Sequence, residues 1–318
     1  MAVLTVCSFV LVASSMLGAS GHGMRAPHHF YPYGPQTGDL MVERSDDGSA
    51  KVKLSHPFPY FGTVREEAWV GTNGIVSFIW DTMLLFGMPE AEECVIAPFA
   101  VDMDTTLNDG GVYYRQTTEP WVLGRATRDV RRSFTGASKF SAKWVLIASY
   151  HKVTFVGGDK TSPVATFQVV MITDDVQSYV MFNYGDVQFA KEPLDSGYAM
   201  IGLDSGDGKR YYLLPEHGKP SADRIELSTN VGVLGRWFFR VDGTNIIHGG
   251  IHRGGVYDCK TNTPCTAANR KRNKYFFAYI DMSKFVRCDN FGRCWVRRCA
   301  PGTVFNAYLQ TCVRPSRA

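Results

Sequence analysis

Nine short runs rich in β-branched and aromatic residues follow one another between residues 68 and 243, with Gly, Asp-Gly or Asn-Gly between many of them. They are AWVGTNGIVSFIW, VIAPFAVDMDT, GVYYRQT, KWVLIASYHKVTFV, VATFQVVMIT, SYVMFNYGDVQF, YAMIGLDS, RYYLLPE and GRWFFRVDG. Such runs, bounded by turn residues, are typical of β-strands. No stretch of helical length keeps a 3.6-residue period, so we expect a mainly β, antiparallel sandwich or barrel-like domain. One hairpin is predicted to turn at Asp174-Asp175.

The first residues resemble an export signal. An apolar run extends from Val3 to Val12, and Leu17-Gly18-Ala19 offers a cleavage site, although no basic residue precedes the run. The segment is too short for a membrane span, and no later stretch approaches the roughly 20 apolar residues that a span needs. We therefore predict a signal peptide over residues 1–20 and a secreted protein without a membrane span.

Export places the cysteines in an oxidising compartment. Six of the eight lie in residues 259–318, at Cys259, Cys265, Cys288, Cys294, Cys299 and Cys312. An even number of cysteines in so short a segment is typical of a disulfide framework. Zinc is the alternative, but the intervals of 5, 22, 5, 4 and 12 residues contain no CxxC pair. Cys94 is expected to be a buried free thiol rather than half of an intermolecular bridge.

Charge divides the chain at the same place. From residue 259 onward there are 12 Lys and Arg against 2 Asp and Glu, a net charge of +10, whereas the rest has 22 against 28, or −6, giving +4 in total. Such an asymmetry indicates a partner with an anionic surface. Nucleic acid fits the charge but not the export signal and the disulfides.

The β-rich body shows no motif of a catalytic or metal centre. GLDSGDGK lacks the spacing of a phosphate loop, and neither GxSxG nor HExxH occurs. An acidic stretch, Asp102–Gly111, is expected to be a solvated turn rather than a calcium site, because Leu107 stands where an EF-hand loop needs Gly. Neighbouring carboxylates such as Glu66 and Glu67 point to opposite faces of a strand. We therefore predict no enzyme, no cofactor and no metal.

Two segments are poor in strand signals. Residues 21–38 are rich in Pro, Gly, His and Tyr and are predicted to be a flexible N-terminal leader. Residues 244–258 are interrupted by Gly and are predicted to be a flexible linker. The body then extends over residues 39–243 and the basic tail over residues 259–318.

The body resembles a known extracellular family. The resemblance lies in PFPYFGTVREEAWVGTNGIVSF, IAPFAVDMDT, GVYYRQ, FQVVMITDDVQSYVMFNYGD, AMIGLDSGDGKRYYLLP and LSTNVGVLGRWFFRVDG, which are similar to the NIDO (nidogen extracellular) domain. One departure is Ala100, which follows Phe99 where the family usually has Trp. The resemblance implies an adhesive or matrix context without catalysis.

A second hairpin is predicted in the tail. In SKFVRCDNFGRCWVRRC, the letters DNFG supply turn residues between a strand from Ser283 to Cys288 and one from Arg293 to Cys299. Alternation then places Val286, Cys288, Cys294 and Val296 on one face. The other face carries Phe285, Arg287, Arg293, Trp295 and Arg297, which is typical of a ligand platform. Packing of Phe285 or Trp295 on the KYFFAYI segment is the alternative.

Residues 275–313 resemble the type-2 (peritrophin-A) chitin-binding domain, most closely in SKFVRC, CAPGTVFN and TCV. The family pairs its first cysteine with the third, its second with the sixth and its fourth with the fifth. Here Met282 stands at the second position and the sixth is absent, so both halves of one bridge are missing. The resemblance implies that Cys299 pairs with Cys312, that Cys288 pairs with Cys265 or Cys259, and that Cys294 takes the remaining cysteine.

The same resemblance implies that aromatic rings stack on N-acetylglucosamine. The candidates for chitin binding are Phe291, Trp295, Asn306 and Tyr308. Chitin is uncharged, so the candidates for binding an anion, an acidic glycan or an acidic matrix protein, are Arg287, Arg293 and Arg297.

Together these features predict a secreted, non-catalytic matrix or adhesion protein that binds chitin through its tail and matrix or cell-surface partners through its body. The first alternative is a polyanion-binding matrix protein whose tail has lost chitin affinity. A chitin-targeted hydrolase is third, because no spacing in the body marks the two convergent carboxylates that such an enzyme needs.

Overall fold

The computed structural model describes residues 27–79, 88–89, 93–193, 197–250, 257, 259–260, 263–279, 283–301, 303–306 and 310–313. The predicted signal peptide lies outside these residues. The strands are β1 (Leu40–Met41), β2 (Ser49–Tyr60), β3 (Thr63–Gly71), β4 (Val76–Ser77), β5 (Cys94–Ala100), β6 (Gly111–Thr117), β7 (Trp144–Val153), β8 (Ala165–Thr173), β9 (Ser178–Val187), β10 (Met200–Ser205), β11 (Tyr211–Leu213), β12 (Arg236–Arg240), β13 (Ile247–His248), β14 (Phe276–Ala278), β15 (Lys284–Cys288), β16 (Cys294–Arg298), β17 (Val304–Asn306) and β18 (Thr311–Val313). The α-helices are α1 (Pro120–Ser133) and α2 (Ala267–Lys271), and 3-10 turns occupy Pro35–Thr37, Ala137–Lys139 and Pro220–Leu227.

Two antiparallel sheets form the body. The seven-stranded sheet has the order β1-β6-β7-β8-β9-β12-β13, and the six-stranded sheet has the order β11-β10-β5-β4-β3-β2. Apolar side chains from both sheets meet in one buried cluster, among them Val70, Ile96, Leu203, Leu146, Val169 and Phe182. The predicted antiparallel sandwich is confirmed, and in the described part of the chain neither strand order closes into a barrel. The predicted hairpin at Asp174-Asp175 joins β8 to β9.

The interior strand β7 is buried on both faces from Trp144 to Tyr150. Leu146 and Ala148 face the cluster between the sheets, whereas Val145 and Ile147 face a second apolar cluster under α1. A strand covered on both sides needs apolar residues at every position, which explains why WVLIASY lacks polar alternation.

The helix α1 corrects the expectation that no stretch of helical length keeps a 3.6-residue period, while the mainly β class is confirmed. Val122, Ala126 and Val130 are buried against the seven-stranded sheet, at intervals of four residues that match one helix face. Pro120 begins the helix, a position where its missing N–H costs nothing. The short periodic run was overlooked because Gly124 and several arginines interrupt it.

The prediction of a flexible leader is wrong for residues 27–38, the part of the leader that the structure describes. Phe30, Tyr31 and Tyr33 are buried on the body. The guanidinium group of Arg125 stacks 4.0 Å from the ring centroid of Tyr31 and donates hydrogen bonds to the carbonyls of His29 and Phe30. Composition suggested a mobile arm, but Tyr31 joins the apolar cluster beneath α1, and Phe30 and Tyr33 pack with Tyr113 in a separate small cluster.

The predicted linker also begins inside the fold. β13 pairs with β12, so that Ile247 lies opposite Arg240 and His248 opposite Phe239. The backbone N–H of Gly249 then donates to the carbonyl of Phe238 at 2.8 Å. Strand pairing was missed because two residues of a strand are too few for a periodic signal. Residues 251–256 lie outside the described residues.

Candidate functional site

The C-terminal segment forms a small β unit around a compact cluster. β14, β15 and β16 make a three-stranded sheet, and β17 pairs with β18. Val286 and Cys288 of β15 are buried with Phe277 of β14 and Cys265. Thr266 caps the N-terminus of α2, because its hydroxyl accepts a hydrogen bond from the backbone N–H of Asn269.

Three disulfides hold this unit together. Cys299 pairs with Cys312, and of the two partners left open for Cys288 the structure selects Cys265. Cys259 pairs with Cys294. The last two bonds tie the segment before α2 to the two strands of the hairpin, which replaces apolar burial that so small a unit cannot supply.

The register of the hairpin agrees with the predicted division of its residues between two faces. Phe285 lies opposite Arg297, Val286 opposite Val296, and Arg287 opposite Trp295. Val296 is 39% exposed, however, so the apolar face does not extend along the whole of β16.

The turn of the hairpin is organised by Asp289. Its Oδ1 accepts hydrogen bonds from the backbone N–H groups of Phe291 and Arg293, and its Oδ2 accepts one from Nε of Arg293 at 2.7 Å. Burial raises the pKa of Asp289, but the bonds from Arg293 and Phe291 outweigh this and leave the pKa below its ordinary value. Gly292 takes a φ of +84°, which a residue with a side chain rarely adopts. The tip is therefore fixed by its own residues.

A row of side chains crosses the three strands. Phe276 of β14 lies opposite Arg287, and Arg287 lies opposite Trp295, so the three share one face of the sheet. A cavity of about 460 Å³ opens on this face, and we call it the hairpin cavity. It is lined by Tyr275, Phe276, Arg287, Cys288, Asp289, Asn290, Trp295 and Arg297. Three aromatic rings, two guanidinium groups, a carboxylate and an amide thus converge on one concave surface.

Only some of the predicted ligand residues meet at this cavity. Trp295, Arg287 and Arg297 line it. Phe291 lies at the hairpin tip with 83% of its surface exposed, and it does not line the cavity. Arg293 is bound to Asp289, with its guanidinium carbon 5.7 Å from the ring centroid of Trp295.

The remaining predicted residues lie elsewhere. Asn306 is in β17, opposite Thr311. Tyr308 lies outside the described residues. Phe285 stacks on Phe305, with ring centroids 5.2 Å apart, so it packs inside the unit rather than facing a ligand.

Sequence reasoning missed the wall of the cavity formed by Tyr275 and Phe276. The run KYFFAYI carries the signal, since its aromatic residues precede the hairpin. Its pairing with β15 decides that Phe276 and Arg287 share a face, and no local pattern specifies that register.

In the body, two carboxyl groups have raised pKa values. Burial raises the pKa of Asp204 to about 6, and burial together with the charge of Asp204 raises the pKa of Glu93. Asp204 is only 1% exposed, so a substrate cannot reach its carboxyl group in this conformation. This pair gives no support to a glycosidase centre.

The acidic stretch Asp102–Gly111 builds turns from its own side chains. Asn108 accepts a hydrogen bond from the backbone N–H of Gly110 and donates one to the carbonyl of Lys152. Asp104 accepts two from Thr106. The bonds to Gly110 and Thr106 are the local polar contacts expected of a turn, and the bond to Lys152 holds the stretch against β7.

Comparison with known proteins identifies two modules. The family described as Nidogen-like domain matches residues 66–243, and the family described as Chitin binding Peritrophin-A domain matches residues 268–318. No solved structure shows a significant match. Among the described residues, no helix has the length and apolar character required to cross a membrane.

The matching relatives are much longer proteins. The chain is 32% identical to alpha-tectorin of Gallus gallus over 276 residues, which are 79% of this chain and 13% of the relative. It is 31% identical to human alpha-tectorin over 283 residues, 83% of this chain and 12% of the relative. Nidogen-2 of Mus musculus is 31% identical over 245 residues, 69% of this chain and 17% of the relative. The chain therefore spans less than one-fifth of each of these relatives.

Proposed function

Because this chain belongs to the nidogen-like domain family, we propose that it is a secreted, non-catalytic protein of the extracellular matrix. Its C-terminal domain binds chitin or a related N-acetylglucosamine polymer, and its NIDO domain binds matrix or cell-surface components. The presence of a nidogen-like module and a chitin-binding module in one chain supports this proposal.

The observation that carries the proposal is the position of Trp295 in the hairpin cavity. Its indole ring is half-buried and lies in the same concave surface as Tyr275 and Phe276. A pyranose ring presents an apolar C–H face that packs on such rings, while Asn290 offers an amide to the hydroxyl and N-acetyl groups. A concave, aromatic surface with a few polar groups is the usual form of a small-ligand site.

A polyanion is the second candidate partner, and the arginines favour it. Arg287 and Arg297 are exposed at the cavity, and the segment from residue 259 carries a net charge of +10. The two candidates differ in their response to salt, because salt screens attraction between exposed charges but not the stacking of a neutral sugar.

The decisive experiment is retention of the oxidised full-length protein on insoluble chitin at low and high salt. We expect retention at both salt concentrations. We expect Trp295→Ala to weaken binding at least about tenfold, because the sugar ring then has no indole on which to bury its apolar face. Trp121→Ala is the matched control, because Trp121 is half-exposed on α1 and belongs to the NIDO domain. Retention that disappears in high salt favours the polyanion, and equal effects of the two Trp variants reject the cavity as the chitin site.

The absence of catalysis is tested on the same preparation. Incubation with chitin oligosaccharides is expected to leave their lengths unchanged. Shortened products that persist after rigorous purification would establish the hydrolase alternative.

A further inference from the structure

Two of the arginines at the hairpin cavity have no acidic partner among the residues that the structure describes. Arg287 and Arg297 both line the cavity, and no ion pair or hydrogen bond joins either guanidinium group to another described residue. Other arginines in the same unit are engaged. Arg293 binds Asp289, and Arg270 donates to the carbonyl of Cys265 at 2.9 Å.

The positive charge at the cavity is therefore not balanced locally. Asp289 is the acidic residue in its lining, and its carboxylate is already bound to Arg293 and to backbone N–H groups. A neutral sugar on Trp295 would leave Arg287 and Arg297 beside it without a counter-charge. A planar guanidinium group matches a carboxylate or a sulfate, to which it donates two parallel hydrogen bonds.

The register of the hairpin also places the two guanidinium groups on the same face as the indole ring of Trp295. Arg287 lies directly across the hairpin from Trp295, and Arg297 lies two residues further along the same strand as Trp295. Side chains two residues apart on a strand share a face. Arg287 and Arg297 thus flank Trp295 on one face of the sheet, one across the hairpin and one along the strand, and all three line the same cavity.

We propose, resting on the polysaccharide-binding function above, that the hairpin cavity takes a sugar residue that carries an acidic group. The sugar ring lies on Trp295, and its carboxylate or sulfate binds Arg287 and Arg297. The cavity then binds an acidic glycan, a polymer of uronic acid residues or of sulfated sugars, more tightly than uncharged chitin, which offers the sugar ring but no acidic group.

The hairpin offers an internal control for non-specific charge. Arg298 follows Arg297 directly on β16, is exposed and lies opposite Lys284. Because neighbouring residues of a strand point to opposite faces, Arg298 lies outside the cavity lining. Arg297→Gln and Arg298→Gln change the net charge equally. A difference in affinity between them therefore requires a ligand that is bound in the cavity.

The test is calorimetric titration of the oxidised full-length protein with three oligosaccharides of equal length at physiological salt. The probes are a hyaluronan fragment, which carries carboxylates, a heparin fragment, which also carries sulfates, and a neutral chitin fragment. We expect an acidic probe to bind about tenfold more tightly than the chitin fragment. We expect Arg297→Gln and Arg287→Gln each to cost about tenfold, as loss of a charged hydrogen bond does, and Arg298→Gln less than about twofold.

The outcomes separate this inference from the function on which it rests. Binding of the hyaluronan fragment assigns the carboxylate as the acidic group, and binding of the heparin fragment alone assigns the sulfate. Equal losses for Arg297→Gln and Arg298→Gln overturn the inference and show diffuse charge attraction. Tight binding of the chitin fragment, unaffected by Arg297→Gln but lost with Trp295→Ala, overturns the inference and retains the proposed function. No binding of any fragment overturns both.

Discussion

The side-chain amide of Gln168 binds both polar groups of the backbone at Tyr31. Oε1 of Gln168 accepts the N–H of Tyr31 at 2.9 Å, and Nε2 donates to the carbonyl of Tyr31 at 3.0 Å. The two residues are 137 positions apart, and Gln168 is fully buried in β8. The amide thus makes the same two hydrogen bonds with Tyr31 that the backbone of a neighbouring strand would make. These bonds hold the N-terminal segment on the face of the sheet that α1 also covers.

Replacement of Gln168 by Met is expected to lower the free energy of unfolding by about 2–4 kcal/mol, because two buried backbone groups of Tyr31 lose their partners and the buried side chains of Ser149 and Asn183 each lose one. Gln188→Met is the control, since Gln188 is exposed and its loss should cost less than about 1 kcal/mol. Urea denaturation measures both. Equal changes for the two variants would show that the N-terminal segment does not depend on this contact.

His29 makes the docked segment sensitive to acid. Burial, followed by the positive charge of Arg236, lowers the pKa of His29 to about 4. The unfolded chain therefore takes up a proton more readily than the folded one. The contribution of neutral His29 to stability is complete above about pH 6.5 and is lost as the pH falls towards 4.

The measurement is the urea midpoint at about pH 7.5 and about pH 5 for the wild type and for His29→Gln, whose amide can still donate to the carbonyl of Tyr184. The variant should lose less stability between the two pH values than the wild type, because it has no proton to take up. Exposed His28, replaced in the same way, should leave the difference unchanged. A parallel response of wild type and His29→Gln would contradict the assignment.

Gly74 occupies a position that excludes any side chain. Its φ is +77°, and a Cβ atom there would lie 1.9 Å from the carbonyl oxygen of Phe99. Gly74→Ala is expected to cost more than about 3 kcal/mol or to prevent folding. Gly136 has a similar φ of +84° but no atom within 4 Å of the added Cβ, so Gly136→Ala should cost about 1 kcal/mol. The yield of folded protein and urea midpoints test the difference, and comparable values for both would refute the steric argument.

Cys94 is a buried free thiol, 2% exposed, and burial raises its pKa to about 11. The thiolate is the reactive form, so iodoacetamide at about pH 8 should leave Cys94 unmodified in the native protein and alkylate it in denaturant. Peptide mass spectrometry reports the modification at this residue. Complete labelling of the native protein within minutes would mean that the thiol is accessible.

Much of the architecture follows from local sequence patterns. The turn at Asp174-Asp175 and the hairpin around DNFG have the predicted positions, and the DNFG hairpin has the predicted pairing of its two faces, because turn residues and two-residue alternation act over a few neighbours. The basic, cysteine-rich segment from residue 259 likewise forms a unit with three disulfides.

Tertiary structure decided what depends on distant partners. The helix α1, the docking of Tyr31 on Gln168 and the short strand β13 are stabilised by surfaces that other segments provide, so their own sequences carry only weak signals. The choice of Cys265 for Cys288, and the row of Phe276, Arg287 and Trp295, depend on how a third segment pairs with the hairpin. Sequence alone therefore determined which residue types could bind a ligand, whereas packing between remote segments decided which of them share one cavity.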